Sequence, residues 1–328
     1  MNKIAFFDAK PYDIASFKRF ESEDIKFRFY ENKLNPDTMS IAAKYDGVCA
    51  FVNDTLNREV IDYLSENGVG VIALRCAGYN NVDLKAAKDK VKIYRVPAYS
   101  PHAIAEHTMG MILMLNRKLH RAYIRTRDHN FSLEGLMGFD LYGKTVGIIG
   151  TGKIGCCFAD VCKGFGMRVL GFDPYKNENF CGEYRDLNEV LSESDIISLH
   201  CPLTRDNKHI INADTISKMK NGVYIINTSR GKLVDTAALI EGIKEGKVGA
   251  CGLDVYEEET AFFFEDKSDE VILDDNLLRL IAMPNVFVTS HQAFLTREAL
   301  DTIAQVTVDN IKDYFDGKES ENEVVANG

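Results

Sequence analysis

The sequence lacks the features that mark membrane proteins and nucleic-acid-binding proteins. No hydrophobic run reaches the roughly 18 residues that span a bilayer, and the apolar stretch at residues 103–115 is interrupted by Glu106 and His107. Basic residues are in deficit, because 39 lysines and arginines stand against 49 aspartates and glutamates, a formal net charge of −10. A nucleic-acid partner would require a basic face. The sequence therefore predicts a protein that neither crosses a membrane nor binds nucleic acid.

The eight cysteines form no C-x-x-C pair and no regular framework. Four of the eight lie in apolar predicted strands or helices, where a reduced cysteine packs as a small hydrophobic residue: Cys49, Cys76, Cys162 and Cys251. His200, Cys201 and His209 do not have the spacing of zinc ligands. Residues 1–4 lead directly into a strand pattern, without the architecture of a signal peptide. We therefore expect a cytoplasmic protein with reduced thiols and no bound metal.

One glycine-rich turn lies between a predicted strand and a predicted helix. The apolar residues 145–149 are followed by Gly150, Gly152 and Gly155 in a G-x-G-x-x-G pattern, and residues 153–164 have the pattern of a helix. The three glycines suit a tight turn, a close approach of the backbone to a pyrophosphate, and close packing of helix on strand. The helix N-terminus offers unpaired N–H groups and a positive dipole end to phosphates. The pattern therefore predicts a dinucleotide-binding loop.

An acidic residue follows the next predicted strand, residues 167–172. Asp173 lies 21 residues after Gly152, where a dinucleotide-binding unit places the carboxylate that accepts from the adenosine ribose hydroxyls. Pro174 and Tyr175 come next rather than an arginine, which favours NAD over NADP. The cofactor that the sequence predicts is therefore NAD.

Short apolar strands alternate with amphipathic segments along the chain, a rhythm that predicts parallel, doubly wound sheets. Ser100 is a good N-cap and Pro101 a good first helical residue, so a largely apolar helix is expected at 101–119, at a domain junction or a subunit contact. Before it, the pattern predicts strands at 3–8, 25–30, 47–52, 70–75 and 92–96, and helices from residue 11, at 36–44 and at 56–67.

After the glycine turn, the pattern predicts strands at 195–199, 223–227, 248–254 and 286–289, and helices at 212–219 and 235–244. A last helix at 296–315 has one apolar face and is expected to return to the first domain, and the polar residues 317–328 are expected to fray. We therefore predict an α/β protein of two doubly wound parallel-sheet domains. A flavodoxin-like catalytic domain, residues 1–100 plus 297–328, carries an inserted Rossmann NAD domain, residues 101–296.

A cation, a carboxylate and an imidazole follow three of the predicted strands, at the sheet edge where ligands of α/β proteins bind. Reduction of a 2-oxo acid by hydride transfer needs a fixed cation for the substrate carboxylate, and Arg230 suits it because guanidinium binds carboxylate bidentately. The reaction also needs a proton donor, which predicts His291. A carboxylate beside that imidazole would fix its tautomer and favour its protonated form, and Glu259 is the candidate.

These residues belong to stretches in which the chain resembles the NAD-dependent D-2-hydroxyacid dehydrogenases, most closely the fermentative bacterial members that form D-lactate. The stretches span nearly the whole chain: residues 74–83, 95–101, 150–155, 198–204, 227–231, 254–259 and 291–296. The resemblance implies NADH-dependent reduction of pyruvate to D-lactate by a homodimer or homotetramer. Alternatives are a dehydrogenase for a bulkier 2-oxo acid, of the hydroxyisocaproate or phenyllactate type, and an NAD-sensing protein similar to transcriptional corepressors.

The resemblance also implies a role for individual residues. Arg230 matches the arginine that binds the substrate carboxylate and carbonyl, His291 the proton donor, and Glu259 its partner. Among three consecutive glutamates, Glu259 is chosen because the carboxylate of the family lies five residues beyond the aspartate matched by Asp254. Further predicted substrate contacts are Ala77, Gly78, Tyr99 and Phe294. Predicted NAD contacts are Gly150, Gly152, Lys153, Ile154, Gly155, Asp173, Cys201, Pro202, Asn207, Thr228, Ser229 and Asp254.

One segment is left open by the sequence. Residues 261–267, within an insertion at 260–281, hold three consecutive phenylalanines among polar residues. They predict a lid over the site, a subunit contact or a packed loop.

Overall fold

The chain divides into two compact units, each with its own sheet. A computed structural model describes residues 1–326, and residues 327 and 328, the end of the segment predicted to fray, lie outside the described residues. Met1–Ser100 and the C-terminal residues from Leu295 onward form the first unit, and Pro101–Phe294 forms the second. Within residues 1–326, no helix has the length and apolar character needed to cross a membrane, and no cluster of acidic, histidine and cysteine side chains could hold a metal ion.

Both units alternate strands with helices. The first contains β1 (Asn2–Phe6), α1 (Pro11–Phe17), β2 (Ile25–Phe29), β3 (Gly47–Ala50), α2 (Arg58–Glu66), β4 (Val71–Leu74), α3 (Leu84–Ala87) and β5 (Lys92–Tyr94). The second contains α4 (Pro101–Asn116), α5 (Leu119–Arg127), β6 (Thr145–Ile149), α6 (Lys153–Gly164), β7 (Arg168–Phe172), β8 (Glu183–Tyr184), α7 (Leu187–Glu193), β9 (Ile196–Leu199), α8 (Ala213–Lys218), β10 (Val223–Asn227), α9 (Thr236–Lys244), β11 (Val248–Leu253), α10 (Asp275–Ala282) and β12 (Val286–Val288). The first unit is completed by α11 (Arg297–Phe315).

All paired strands run parallel. The first sheet has the order β2-β1-β3-β4-β5 and the second the order β12-β11-β10-β9-β6-β7-β8. Every residue of β3, β4, β6 and β9 is buried, because helices cover both faces of a parallel sheet and its central strands become continuous apolar runs. The predicted fold class, two doubly wound parallel-sheet domains, is confirmed.

Several predicted elements differ from the structure. The helix predicted at 36–44 is a 3-10 helix, Met39–Lys44. The helix predicted at 101–119 ends at Asn116, and α5 begins after Lys118, whose φ of 50° breaks the helical path. The short elements α3, α5, α7, α10 and β8 were not predicted.

The C-terminal residues do not fray as predicted over their described part. The N–H of Val324 donates to the carbonyl of Ile93 at 2.7 Å, and the N–H of Arg95 donates to the carbonyl of Asn322 at 3.1 Å. The chain after α11 therefore pairs with the open edge of β5, where unpaired backbone groups were available.

Candidate active site

Three neighbouring strands of the second unit end at one edge of its sheet. Arg230 follows β10, Glu259 follows β11 and His291 follows β12, and these strands adjoin in the order β12-β11-β10. Because the carboxyl ends of parallel strands share an edge, the three predicted catalytic side chains emerge on the same side of the sheet.

His291 and Glu259 form a hydrogen-bonded pair. Nδ1 of His291 lies 2.9 Å from Oε1 of Glu259, and each side chain is 23% exposed. The other carboxylate oxygen, Oε2, accepts the backbone N–H of Tyr256 at 2.9 Å, which fixes the orientation of Glu259. Because Nδ1 faces the carboxylate, Nε2 is the ring atom that can give a proton to a ligand.

The three consecutive glutamates have different surroundings. Oε1 of Glu257 lies 2.7 Å from Nε2 of His209, and Glu258 is exposed. The structure therefore places Glu259, and neither of its neighbours, against His291.

The guanidinium of Arg230 is partly buried and not neutralised by a carboxylate. Its Nη1 donates to the carbonyl of Ser229 at 2.7 Å, and no carboxylate within residues 1–326 pairs with it. The next residue, Gly231, lies against the Tyr256–Glu257 peptide so closely that a Cβ would collide with the carbonyl of Tyr256. The loops that carry Arg230 and Glu259 are thus in backbone contact, and the cation remains available to an anionic ligand.

The glycine loop combines tight packing with open space. Gly150 has a φ of +99°, and a Cβ there would lie 2.6 Å from the carbonyl carbon of His200. A Cβ on Gly155 would collide with the carbonyl oxygen of Gly150. At Gly152, by contrast, a Cβ would meet no atom within 4 Å, and no side chain caps the N-terminus of α6, which begins at Lys153. Free N–H groups facing open space fit a pyrophosphate.

The carboxylate of Asp173 lies beside this loop. Its Oδ2 accepts the N–H of Thr151 at 2.7 Å and its Oδ1 accepts the N–H of Tyr175 at 2.9 Å. Each carboxylate oxygen has a second lone pair for a ribose hydroxyl, so the loop, α6 and Asp173 together fit the adenosine side of NAD.

Comparison with known proteins identifies the family. Residues 109–293 match the NAD-binding domain of the D-isomer specific 2-hydroxyacid dehydrogenases. The D-lactate dehydrogenase of Escherichia coli K12 is 52% identical over 328 residues, covering 98% of this chain and 100% of that protein. The chain belongs to the D-isomer specific 2-hydroxyacid dehydrogenase family.

Solved structures of the family agree over the whole chain. The apo-structure of D-lactate dehydrogenase from Escherichia coli is 49% identical, with a TM-score of 0.91, and the match covers 98% of this chain and 100% of that one. The pyruvate reductase of Chlamydomonas reinhardtii is 40% identical, with a TM-score of 0.94 and 98% of both chains covered. As a 2-hydroxyacid dehydrogenase, the protein is an oxidoreductase with NAD as its cofactor.

The other predicted NAD contacts of this dehydrogenase follow β9 and β10 or begin α6: Cys201, Pro202, Asn207, Thr228, Ser229, Lys153 and Ile154. The hydroxyl of Ser229 donates to the carbonyl of Cys201 at 2.6 Å, and Nδ2 of Asn207 donates to the carbonyl of Pro202 at 2.7 Å. Burial raises the pKa of the Cys201 thiol to about 11, so it packs as a neutral group. The structure brings these residues to one sheet edge, and their contact with NAD stays a prediction.

Asp254 has protein partners in addition to its predicted role toward NAD. It is 0% exposed, and its carboxylate accepts the hydroxyl of Thr289 at 2.5 Å and the N–H groups of Gln292 and Ala293 at 2.9 Å each. Its carbonyl accepts the N–H of His291 at 2.7 Å. Asp254 therefore holds the turn in which His291 adopts a φ of 55°, a left-handed conformation uncommon outside glycine.

Of the four other predicted substrate contacts, three belong to the first unit and one to the second. Ala77 and Gly78 follow β4 of the first unit, where Nη1 of Arg95 donates to the carbonyl of Ala77 at 3.2 Å. Tyr99 belongs to the same unit, and Phe294 is the last residue of the second. Their part in binding substrate stays a prediction.

Two contacts of the catalytic turn were missed in the sequence. Nε2 of His107, on α4, lies 3.3 Å from the hydroxyl of Thr289. The ring of Phe264 lies 5.7 Å from that of His291, while Phe263 is buried in the core. The three interpretations of the phenylalanine segment, a lid, a subunit contact and a packed loop, stay predictions.

The space around the glycines gives a test of the cofactor loop. We expect Gly152→Ala to fold normally but to weaken NADH binding about tenfold or more, because its methyl group enters only the space proposed for the pyrophosphate. Gly155→Ala should instead lower the melting temperature, because its Cβ collides with the carbonyl of Gly150.

Gly164→Ala, near the other end of α6 and in open space, is the matched control. Fluorescence titration with NADH and thermal denaturation separate the three, and unchanged NADH affinity in Gly152→Ala would contradict the assignment.

Proposed function

We propose that the protein is an NADH-dependent D-lactate dehydrogenase that reduces pyruvate to D-lactate. The observation that carries the proposal is the His291–Glu259 pair on the same sheet edge as the unneutralised Arg230. The 52% identity with the D-lactate dehydrogenase of Escherichia coli supports this substrate over bulkier 2-oxo acids and over an NAD-sensing role.

Each of the three side chains has a task in this reaction. Arg230 binds the pyruvate carboxylate through two parallel N–H donors and so orients the neighbouring carbonyl. His291 gives the proton on Nε2 to the carbonyl oxygen as that oxygen becomes a hydroxyl. Glu259 holds Nδ1 and stabilises the protonated ring before the transfer. Bound NADH supplies the hydride to the carbonyl carbon, so one hydride and one proton convert pyruvate to lactate.

The substrate is tested by following NADH oxidation with pyruvate, a branched longer 2-oxo acid and an aromatic one, and NAD reduction with D-lactate and L-lactate. We expect the highest kcat/KM with pyruvate, and turnover of the D isomer only. A higher kcat/KM with either longer acid would move the protein to the hydroxyisocaproate or phenyllactate type. NADH binding without turnover of any acid would favour the sensing role.

We propose further that the protein is a homo-oligomer that pairs through its second unit. Between α5 and β6, large apolar side chains are exposed to an extent unusual for a surface loop: Phe131 at 71%, Leu133 at 82%, Met137 at 86% and Tyr142 at 80%. A second copy of the chain would remove these side chains from water. Whether two or four chains assemble, and the cytoplasmic location, stay predictions.

A charge in this surface tests the assembly. We expect Leu133→Glu to reduce the mass measured by light scattering to that of one chain, because the interface would have to bury an unpaired carboxylate. Val271→Glu is the control, since Val271 is 84% exposed on the same unit but outside this segment. A wild-type protein of one-chain mass, or an oligomer that survives Leu133→Glu, would count against the proposed surface.

A further inference from the structure

A histidine stands on a helix that is otherwise largely apolar. The helix α4 is buried along most of its length, yet His107 lies within it and its side chain is 21% exposed. Nε2 of His107 lies 3.3 Å from the hydroxyl oxygen of Thr289 and 3.5 Å from Oδ1 of Asp254. The imidazole therefore contacts Thr289, at the start of the turn that carries His291, and Asp254, which accepts hydrogen bonds from that turn.

The hydrogen-bond partners of this cluster fix which atom of His107 carries a proton. The hydroxyl of Thr289 donates its only hydrogen to Oδ1 of Asp254 at 2.5 Å, so its oxygen can act only as an acceptor toward His107. Oδ1 of Asp254 is itself an acceptor and also takes the N–H of Gln292. Nε2 of His107 must therefore bear the hydrogen and donate it.

We propose that His107 is a positioning residue of the reaction, whose Nε2–H fixes Thr289 and Asp254 so that the following turn presents the imidazole of His291. The inference rests on the proposed function, in which His291 is the proton donor. His107 acts through its neighbours, because none of its described contacts is to His291 itself.

His107 also helps to keep the carboxyl of Asp254 ionised. Burial by itself raises the pKa of the Asp254 carboxyl, but hydrogen bonds from His107, from Thr289 and from two backbone N–H groups outweigh it and hold that pKa below its ordinary value. The charged group that contacts His107 is Asp254, which follows β11. The His291–Glu259 pair follows β12 and β11 at the same sheet edge. Without His107, Asp254 would protonate more readily and would lose acceptor strength toward the turn.

The test compares His107→Leu, which removes the donor, with His107→Gln, whose amide nitrogen can take the place of Nε2. In the full-length enzyme we expect His107→Leu to lower kcat for pyruvate about 10- to 100-fold, the effect of a small misplacement of reacting groups, while the Kd for NADH changes less than about threefold. His107→Gln should recover most of kcat. Glu106→Gln, a charge change at the exposed neighbouring position, should leave kcat and melting temperature unchanged.

The pH profile supplies a readout that a merely structural role would not move. Since the pKa of Asp254 is lowered in the folded protein and its ionised form holds the turn, activity is lost as pH falls through that pKa. In His107→Leu, kcat/KM should therefore begin to fall at a higher pH than in the wild type as the solution is made more acidic. In His107→Gln this shift of the acid limb toward higher pH should be smaller. The double variant Thr289→Val with His107→Leu should lose less activation free energy, calculated from kcat, than the sum of the losses in the two single variants, because the two residues share one hydrogen-bonded cluster.

The proposal is overturned if His107→Leu keeps wild-type kcat, if the loss lies wholly in the Kd for NADH, or if His107→Gln is as impaired as His107→Leu with an unmoved acid limb. If the proposed function itself is wrong, the result differs, because the wild type and Glu106→Gln would then also fail to reduce pyruvate.

Discussion

His291→Ala lowers kcat for pyruvate reduction by about 10²–10⁴-fold, the usual contribution of a general acid. The variant removes the imidazole whose Nδ1 pairs with Glu259 and whose Nε2 is the proposed proton donor to the substrate. NADH should still bind with nearly wild-type affinity, because the predicted adenosine contacts, the glycine loop after β6 and Asp173 after β7, are untouched by the change. Stopped-flow measurement of a single turnover gives the chemical step directly.

A second histidine–glutamate pair in the same unit provides the matched control. His209 lies 2.7 Å from Glu257, and both belong to loops near the proposed site, yet neither contacts His291. We expect His209→Ala to lower kcat less than about tenfold, since it loses only a partly exposed hydrogen bond to Glu257. Near-normal turnover in His291→Ala, or equal losses in both variants, would refute the assignment of the proton donor.

Arg230→Gln lowers kcat/KM for pyruvate by about 10²–10³-fold, because truncating one partner of a buried, hydrogen-bonded charge pair costs about 2–5 kcal/mol. The amide keeps a donor but loses the charge and the two parallel N–H groups that match a carboxylate. Arg230→Lys should recover part of the loss, since it restores the charge without the planar fork.

The effect should fall on the substrate and not on the cofactor. Lys232→Gln, an exposed cation two residues further along the same loop, controls for the change in local charge. Steady-state kinetics with varied pyruvate and a separate titration with NADH distinguish the two ligands. A variant Arg230→Gln with wild-type kcat/KM would place the substrate carboxylate elsewhere.

The elements that the sequence predicts best are those with strong local patterns. β6 and α6 have the predicted bounds, residues 145–149 and 153–164, because an apolar run, the glycine turn and a regular helix follow one another without ambiguity. β10 likewise matches residues 223–227. The shorter α7 and α10 were missed although each begins with an N-cap signal, at Asp186 and Asp274, because they are too short for periodicity to stand out.

Contacts between distant parts of the chain could not be derived from local patterns. Three consecutive glutamates give no local reason to prefer Glu259, and it is the fold that brings its Oε2 to the N–H of Tyr256 and its Oε1 to His291. The proximity of His107 to Thr289 joins residues 182 positions apart in the chain. An apolar helix pattern reports that a face is buried, but not which polar group lies opposite it.

The contact of Gly231 with the Tyr256–Glu257 peptide has a consequence for how such enzymes can diverge. Any side chain at position 231 would push apart the segments that bear the guanidinium and the carboxylate, so neither segment can be remodelled alone. During evolution the two should be inherited as a block, with changes of specificity arising at positions outside it.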